Sequence, residues 1–221
     1  MDPADAARPA LPDGIVAGRV IAIARRMGPA DVGSVVDGLL DGGVQAFELT
    51  LNEPEAEALL ALEAAARHAA GTGMAIGAGT VLSIDAARRA LEAGATFLVS
   101  PHTDLELVAW SAANGTPILP GAATPTEAYA GWRAGAAAVK AFPASVLGPA
   151  FVREIHGPFP DLPIVPTGGV TAETAGDYVR AGAVAVGLGS WLIGDGEIRG
   201  VTERADRVVR AVTEAHEAVR D

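Results

Sequence analysis

No cysteine occurs in the chain. Disulfides, thiolate-held zinc and thiol nucleophiles are therefore excluded, and any chemistry must come from Lys, Glu, Asp, His, Ser or Thr. Lysine is nearly absent as well: of the 16 basic residues all but Lys140 are arginine. Positive charge is in deficit, with 27 acidic residues and a formal net charge of −11. A field of that sign repels polyanions, so neither nucleic acid nor an anionic membrane is expected as a partner, and any phosphate must be held locally. Long apolar runs are missing too, because Gly, Pro and charges interrupt every stretch before about 18 residues, and no membrane span is expected. The four histidines, His68, His102, His156 and His216, show no metal-ligand spacing. No metal and no other cofactor is expected.

Half of the 221 residues are hydrophobic, enough for one full core, and the length sits near the lower limit for an eightfold α/β barrel. Residues 1–14 lack the cationic start and apolar block of a signal peptide and read as a loose tail, with a cytoplasmic domain over 15–221. From about residue 19 onward, short apolar segments alternate with longer amphipathic ones. Strands are expected at 20–23, 46–51, 75–78, 96–99, 117–120, 138–142, 163–166 and 183–186. Helices are expected at 30–41, 54–70, 84–93, 104–113, 125–134, 147–156, 172–181 and 202–219. That order implies βα units and a parallel sheet. Thr124-Pro125-Thr126-Glu127 spells a helix start with a capping box. Asp41-Gly42-Gly43-Val44, Glu92-Ala93-Gly94-Ala95, Arg133-Ala134-Gly135-Ala136 and Arg180-Ala181-Gly182-Ala183 each end a helix with a glycine suited to the left-handed turn. Eight units of similar size favour a single (β/α)8 TIM barrel over an open doubly wound sheet.

Strand alternation places Phe47, Leu49 and Leu51 on one face of the second strand and Ala46, Glu48 and Thr50 on the other. The large apolar face should meet the helices, which turns Glu48 inward. On the sixth strand Ala138, Lys140 and Phe142 turn inward in the same way. A desolvated lysine can lose its proton and attack a carbonyl, which arginine cannot do. A chance lysine with its head in water, or an internal salt bridge without chemistry, are the bland alternatives. Ala46, Ala78 and Ala138 are expected to leave space beside the pair, which suits a substrate better than a close ion pair.

Pro166-Thr167-Gly168-Gly169-Val170-Thr171 and Gly187-Leu188-Gly189-Ser190 follow the last two strands, where such barrels often hold phosphate on backbone N–H groups. Arg25 could hold a carboxylate or phosphate, and Thr80 could donate to a carboxylate. Ser100-Pro101-His102 and Gly121-Ala122-Ala123-Thr124 are further strand-end groups.

In order along the chain, Glu48-Leu49-Thr50-Leu51, Gly77-Ala78-Gly79-Thr80-Val81, Ser100-Pro101, Pro120-Gly121, Val139-Lys140-Ala141-Phe142-Pro143, Pro166-Thr167-Gly168-Gly169-Val170 and Gly189-Ser190-Trp191-Leu192 resemble the class I, Schiff-base aldolases. Those enzymes cleave 2-keto-3-deoxy-6-phosphogluconate or its galactonate epimer. The resemblance implies Lys140 as the Schiff-base lysine and Glu48 as the general acid/base. It implies substrate contacts from Arg25, Thr80, Pro101, Phe142 and Thr167, and phosphate contacts from Gly168, Gly169, Gly189 and Ser190. It also implies a phosphorylated 2-keto-3-deoxy sugar acid as ligand and a homotrimer. Leu51-Asn52-Glu53-Pro54 and the stretch 142–149 look like the galactonate enzymes, whereas Thr167 and Ser190-Trp191 look like the gluconate ones, and Arg26 after Arg25 departs from the galactonate pattern. The galactonate epimer is the expected substrate. A 4-hydroxy-2-oxoglutarate aldolase, a phosphosugar isomerase or synthase, and a non-catalytic binding barrel are the alternatives.

Overall fold

The computed structural model describes residues 8–51, 54–194 and 200–220. The strands are β1 (Val20–Ala24), β2 (Ala46–Thr50), β3 (Ala75–Gly79), β4 (Phe97–Val99), β5 (Ile118–Leu119), β6 (Gly121–Ala122), β7 (Val139–Ala141), β8 (Ile164–Pro166) and β9 (Val186–Leu188). All paired strands run parallel. One six-stranded sheet has the order β5-β4-β3-β2-β1-β9 and a three-stranded sheet the order β6-β7-β8. The result is an α/β fold whose parallel strands curl around an inner face, with helices outside.

Helices follow the strands: α2 (Val32–Asp41), α3 (Glu55–His68), α4 (Ile84–Glu92), α5 (Leu105–Ala113), α6 (Pro125–Arg133), α7 (Ala144–His156), α8 (Ala172–Arg180), α9 (Ser190–Ile193) and α10 (Val201–Arg220), with α1 (Asp13–Gly18) ahead of β1. Thr124 and Glu127 close the expected capping box: the Thr124 hydroxyl accepts from Glu127 N, and Glu127 Oε2 accepts from Thr124 N at 3.0 Å. Gly135 and Gly182, both at φ 107°, turn the chain from helix to strand as their repeat predicts. No helix among the described residues is long and apolar enough to cross a membrane.

Two apolar layers result from strand alternation. Ile21, Ile23, Ala46, Ala75, Phe97, Val99, Leu119, Ala138, Val165 and Ala185 form the inner cluster. Phe47, Leu49, Ile76, Leu98, Val139, Ile164 and Val186 belong to the outer one, packed on the helices. Burying a large apolar side chain stabilises by about 1.5–3 kcal/mol. Phe97 has that opportunity because residue 77 is glycine: a Cβ there would lie 2.3 Å from its Cζ.

Four expectations change. The fifth strand splits into β5 and β6 because Pro120 has no N–H to give the ladder, although its carbonyl still accepts from Lys140 N at 2.9 Å. The last strand begins at Val186 rather than 183, while Ala185 still packs inward. Helix α7 begins at Ala144, and its axis breaks at Gly148 (φ 68°, ψ 172°) before Pro149. Finally, the expected tail boundary at residue 14 falls inside α1, where Ile15 is fully buried in the inner cluster. A Cβ on Gly14 would lie 2.2 Å from the carbonyl oxygen of Gln45, so α1 packs where β2 begins. Further back, Arg8 Nη2 donates to the Trp132 carbonyl at 3.0 Å and its guanidinium lies 4.5 Å above that indole. Residues 1–7 lie outside the described residues.

Candidate active site

Glu48 of β2 and Lys140 of β7 both turn to the inner face and are 2% and 6% exposed. Alternation placed them there, and a glycine makes room for the carboxylate. A Cβ on Gly79, the register partner of Thr50, would lie 1.8 Å from Glu48 Oε1. Gly121 pairs with Lys140, and a Cβ on it would lie 2.3 Å from the Pro101 carbonyl oxygen. That glycine lets the chain after β4 pass close to β6, the strand next to the one that carries Lys140. The room for the Glu48 carboxylate therefore comes from Gly79, while Ala46 and Ala138 pack fully buried in the inner cluster. Ala78 packs in the outer cluster, so it adds none. Lys140 Nζ lies 4.9 Å from the centre of the Phe142 ring, a distance at which a protonated amine is attracted to the ring face.

Burial acts oppositely on the two groups. It pushes the Glu48 carboxyl up from its ordinary 4.5, with the charges of Lys140 and Arg25 pulling back. It pushes the Lys140 amine down from 10.5; Glu48 opposes that shift and Arg25 adds to it. Each group feels the other without an ion-pair contact among the described residues, which leaves the amine able to shed its proton. A lysine in this state should trap a keto acid as an imine at pH values where an exposed lysine is protonated. The rate of borohydride-dependent labelling by pyruvate, followed against pH, is expected to rise with a midpoint below the ordinary 10.5. A midpoint at the ordinary value would contradict the desolvation argument.

Beside this pair, a cavity of about 170 Å³ is lined by Ile23, Arg25, Thr167, Gly168, Gly169, Val170, Thr171, Gly189, Ser190 and Trp191. Gly168 and Gly169 have φ of 95° and 79°, the left-handed region that L side chains resist. Their turn lies between β8 and α8, and Ser145 N donates to the Gly168 carbonyl at 2.9 Å. Gly189 precedes the single turn of α9, whose first residue is Ser190. A Cβ on Gly189 would be 3.7 Å from Arg25 Nη1, so the guanidinium reaches over the second glycine turn. Thr167 is 4% exposed and joins β8 to β9 through a bridge to Gly187.

The expected phosphate group thus comes together with Arg25 and Thr167. Phe142 stands at its edge, with a Cβ on Gly168 meeting its ring at 3.1 Å. Thr80, at φ 56°, and Pro101 are half-buried and outside that lining among the described residues. Of the remaining lining, Val170, Thr171 and Trp191 lie within motifs quoted from the sequence without being assigned a contact there, and Ile23 of β1 was not singled out at all. A larger groove, about 480 Å³, opens beside α1 and Met74, with neither Glu48 nor Lys140 in its lining. Among the described residues no group of three or more His, Asp and Glu could hold a metal.

A buried amine and a buried carboxylate beside a glycine-walled cavity that also holds Arg25 are an arrangement that could carry out lysine-dependent carbon–carbon cleavage. The family description KDPG and KHG aldolase matches residues 13–210. The chain is 39% identical over 188 residues to the probable 2-dehydro-3-deoxy-6-phosphogalactonate aldolase of Rhizobium meliloti (strain 1021), covering 84% of this chain and 87% of that one. It is 35% identical over 187 residues to the 2-dehydro-3-deoxy-phosphogluconate aldolase of Pseudomonas aeruginosa, covering 84% and 83%. A solved structure described as native KDPGal superposes with a TM-score of 0.84 at 32% identity, over 90% of this chain and 96% of that one. The chain belongs to the KDPG and KHG aldolase family and is an aldolase, a carbon–carbon lyase.

Proposed function

We propose that this aldolase cleaves 2-keto-3-deoxy-6-phosphogalactonate, or its gluconate epimer, to pyruvate and glyceraldehyde 3-phosphate, and that Lys140 forms the Schiff base. The observation that carries the reading is a lysine 6% exposed whose amine is pushed towards its neutral form. The lysine attacks the C2 ketone, and loss of water gives a protonated imine. Glu48, directly or through water, takes the C4 hydroxyl proton as the C3–C4 bond breaks. The bonding electrons pass to the iminium nitrogen, giving an enamine and the aldehyde. Glu48 returns the proton to C3, and water releases pyruvate and restores the amine. Arg25 and the turns at Gly168-Gly169 and Gly189-Ser190 hold the phosphate, and Thr80, Pro101, Phe142 and Thr167 shape the rest of the substrate site.

The scaffold proposed is a closed eight-stranded barrel. Only Pro120 separates β5 from β6, and the two sheets meet again where Thr167 bridges Gly187 and Val184 N donates to the Ile164 carbonyl at 3.0 Å. A homotrimer is proposed on the family resemblance, and light scattering of the purified protein tests it. Asn52 and Glu53, which favour the galactonate epimer in the sequence, lie outside the described residues.

Peptide mass analysis after borohydride reduction with pyruvate is expected to find the reduced pyruvyl adduct on Lys140; its absence under saturating pyruvate overturns the reading. Rates on the two epimers and on 4-hydroxy-2-oxoglutarate, measured side by side, then assign the substrate, with the galactonate epimer expected fastest. The phosphate contact has its own check. Gly169→Ala would set a Cβ 2.7 Å from Ser145 Cβ at a φ of 79°, and KM for the phosphorylated acid should rise by about tenfold. Adduct formation with pyruvate, which has no phosphate, should be unchanged.

A further inference from the structure

Strand β2 turns two polar side chains inward, Glu48 and, one inward step closer to the strand's end, Thr50, which is 5% exposed. A hydroxyl buried that far is costly unless it is hydrogen-bonded. Thr50 Oγ1 donates to the carbonyl of Ala24, the last residue of β1, at 3.2 Å. The register gives this bond a purpose. Ala24 pairs with Leu49, the last paired position of these two strands, so the hydroxyl adds a tie where the ladder stops.

The residue that emerges beyond the tie is Arg25, and Arg26 turns immediately afterwards into the left-handed region at φ 53°. The placement of the Arg25 guanidinium therefore depends on how firmly the end of β1 is held. That guanidinium lines the 170 Å³ cavity. It also faces the catalytic pair: Glu48 is acted on by Lys140 from β7 and by Arg25 from the end of β1, while the neighbouring Gly79 of β3 brings no charge.

We propose that Thr50 is a positioning residue whose hydroxyl holds the end of β1 against β2 and so sets where Arg25 stands relative to Glu48 and the anion cavity. The inference rests on reading Arg25 and that cavity as the substrate's phosphate contacts.

The test compares Thr50→Val, which keeps the shape and loses the hydroxyl, with Thr50→Ser, which keeps the hydroxyl. KM and kcat are measured for the 6-phosphorylated acid and its unphosphorylated counterpart, with the pH dependence of kcat/KM and the melting temperature. Thr50→Val should raise KM for the phosphorylated acid about three- to tenfold, the equivalent of one ordinary hydrogen bond, and leave that for the unphosphorylated acid within about twofold. Arg25 lowers the proton affinity of Glu48, so a displaced Arg25 lets that affinity rise and the acid limb of kcat/KM should move to higher pH. Thr50→Ser should restore both. Equal effects on the two acids, an unmoved acid limb, or failure of serine to rescue would overturn the proposal in favour of a purely structural hydroxyl. If Thr50→Val does not fold, Thr50→Ala takes its place in the same comparison. A wild-type protein that forms no pyruvyl adduct at Lys140 sinks the Schiff-base reading itself, whereas an adduct-forming wild type with an unaltered Thr50→Val sinks only the role of Thr50.

Discussion

Lys140→Arg is expected to lose cleavage activity by a factor on the order of 10⁴ or more, and to lose borohydride-dependent attachment of pyruvate entirely. The substitution keeps the positive charge and removes the one property the mechanism needs. A guanidinium stays protonated under any condition the fold survives and cannot form an imine. The fold itself should tolerate the change with some strain, because Lys140 is 6% exposed beside the Phe142 ring. Circular dichroism with steady-state assay of the same preparation separates the two outcomes. A variant that stayed folded and kept substantial turnover would show that residue 140 acts as a fixed charge, as in an isomerase on the same scaffold.

Glu48→Gln should separate the two halves of the reaction. The amide occupies nearly the same volume beside Gly79 but cannot accept the C4 hydroxyl proton, so cleavage should fall by about 10²- to 10⁴-fold. Imine formation with pyruvate should persist. Its pH dependence should also move in a definite direction. The negative charge of Glu48 holds the Lys140 amine up against the effect of burial, so removing that charge lets the amine lose its proton more readily. The midpoint of borohydride labelling is therefore expected at lower pH in Glu48→Gln than in the wild type. A shift to higher pH, or unchanged cleavage, would remove Glu48 from the proton-transfer role.

The period-two alternation of β2 and β7 made the inward turn of Glu48 and Lys140 legible before any coordinates, because parity along a strand is a local property. Capping at Thr124 and the helix-ending glycines were legible for the same reason. What escaped depends on distant partners. Ala78 was grouped with the space-making residues for its size, yet its parity sends it to the helices, and the clearance for Glu48 comes from Gly79, whose need to be glycine appears only once Glu48 is beside it. The start of the last strand slipped because an apolar run such as Ala183-Val184-Ala185-Val186 does not say where its neighbour's ladder begins. The short helix α1 went unread since its burial is created by contact with the start of β2, far along the chain. Of the cavity beside Arg25, the glycine turns and the motifs holding Thr171 and Trp191 were readable, and the wall that Ile23 supplies from β1 was not.

With Ile15 of α1 seated in the inner cluster, the end of the proposed barrel where β2 begins is plugged by an apolar side chain. On the proposed Schiff-base mechanism pyruvate is still tethered to Lys140 when the carbon–carbon bond parts, so the phosphorylated aldehyde departs first, and the covalent link sets the order in which the two fragments leave.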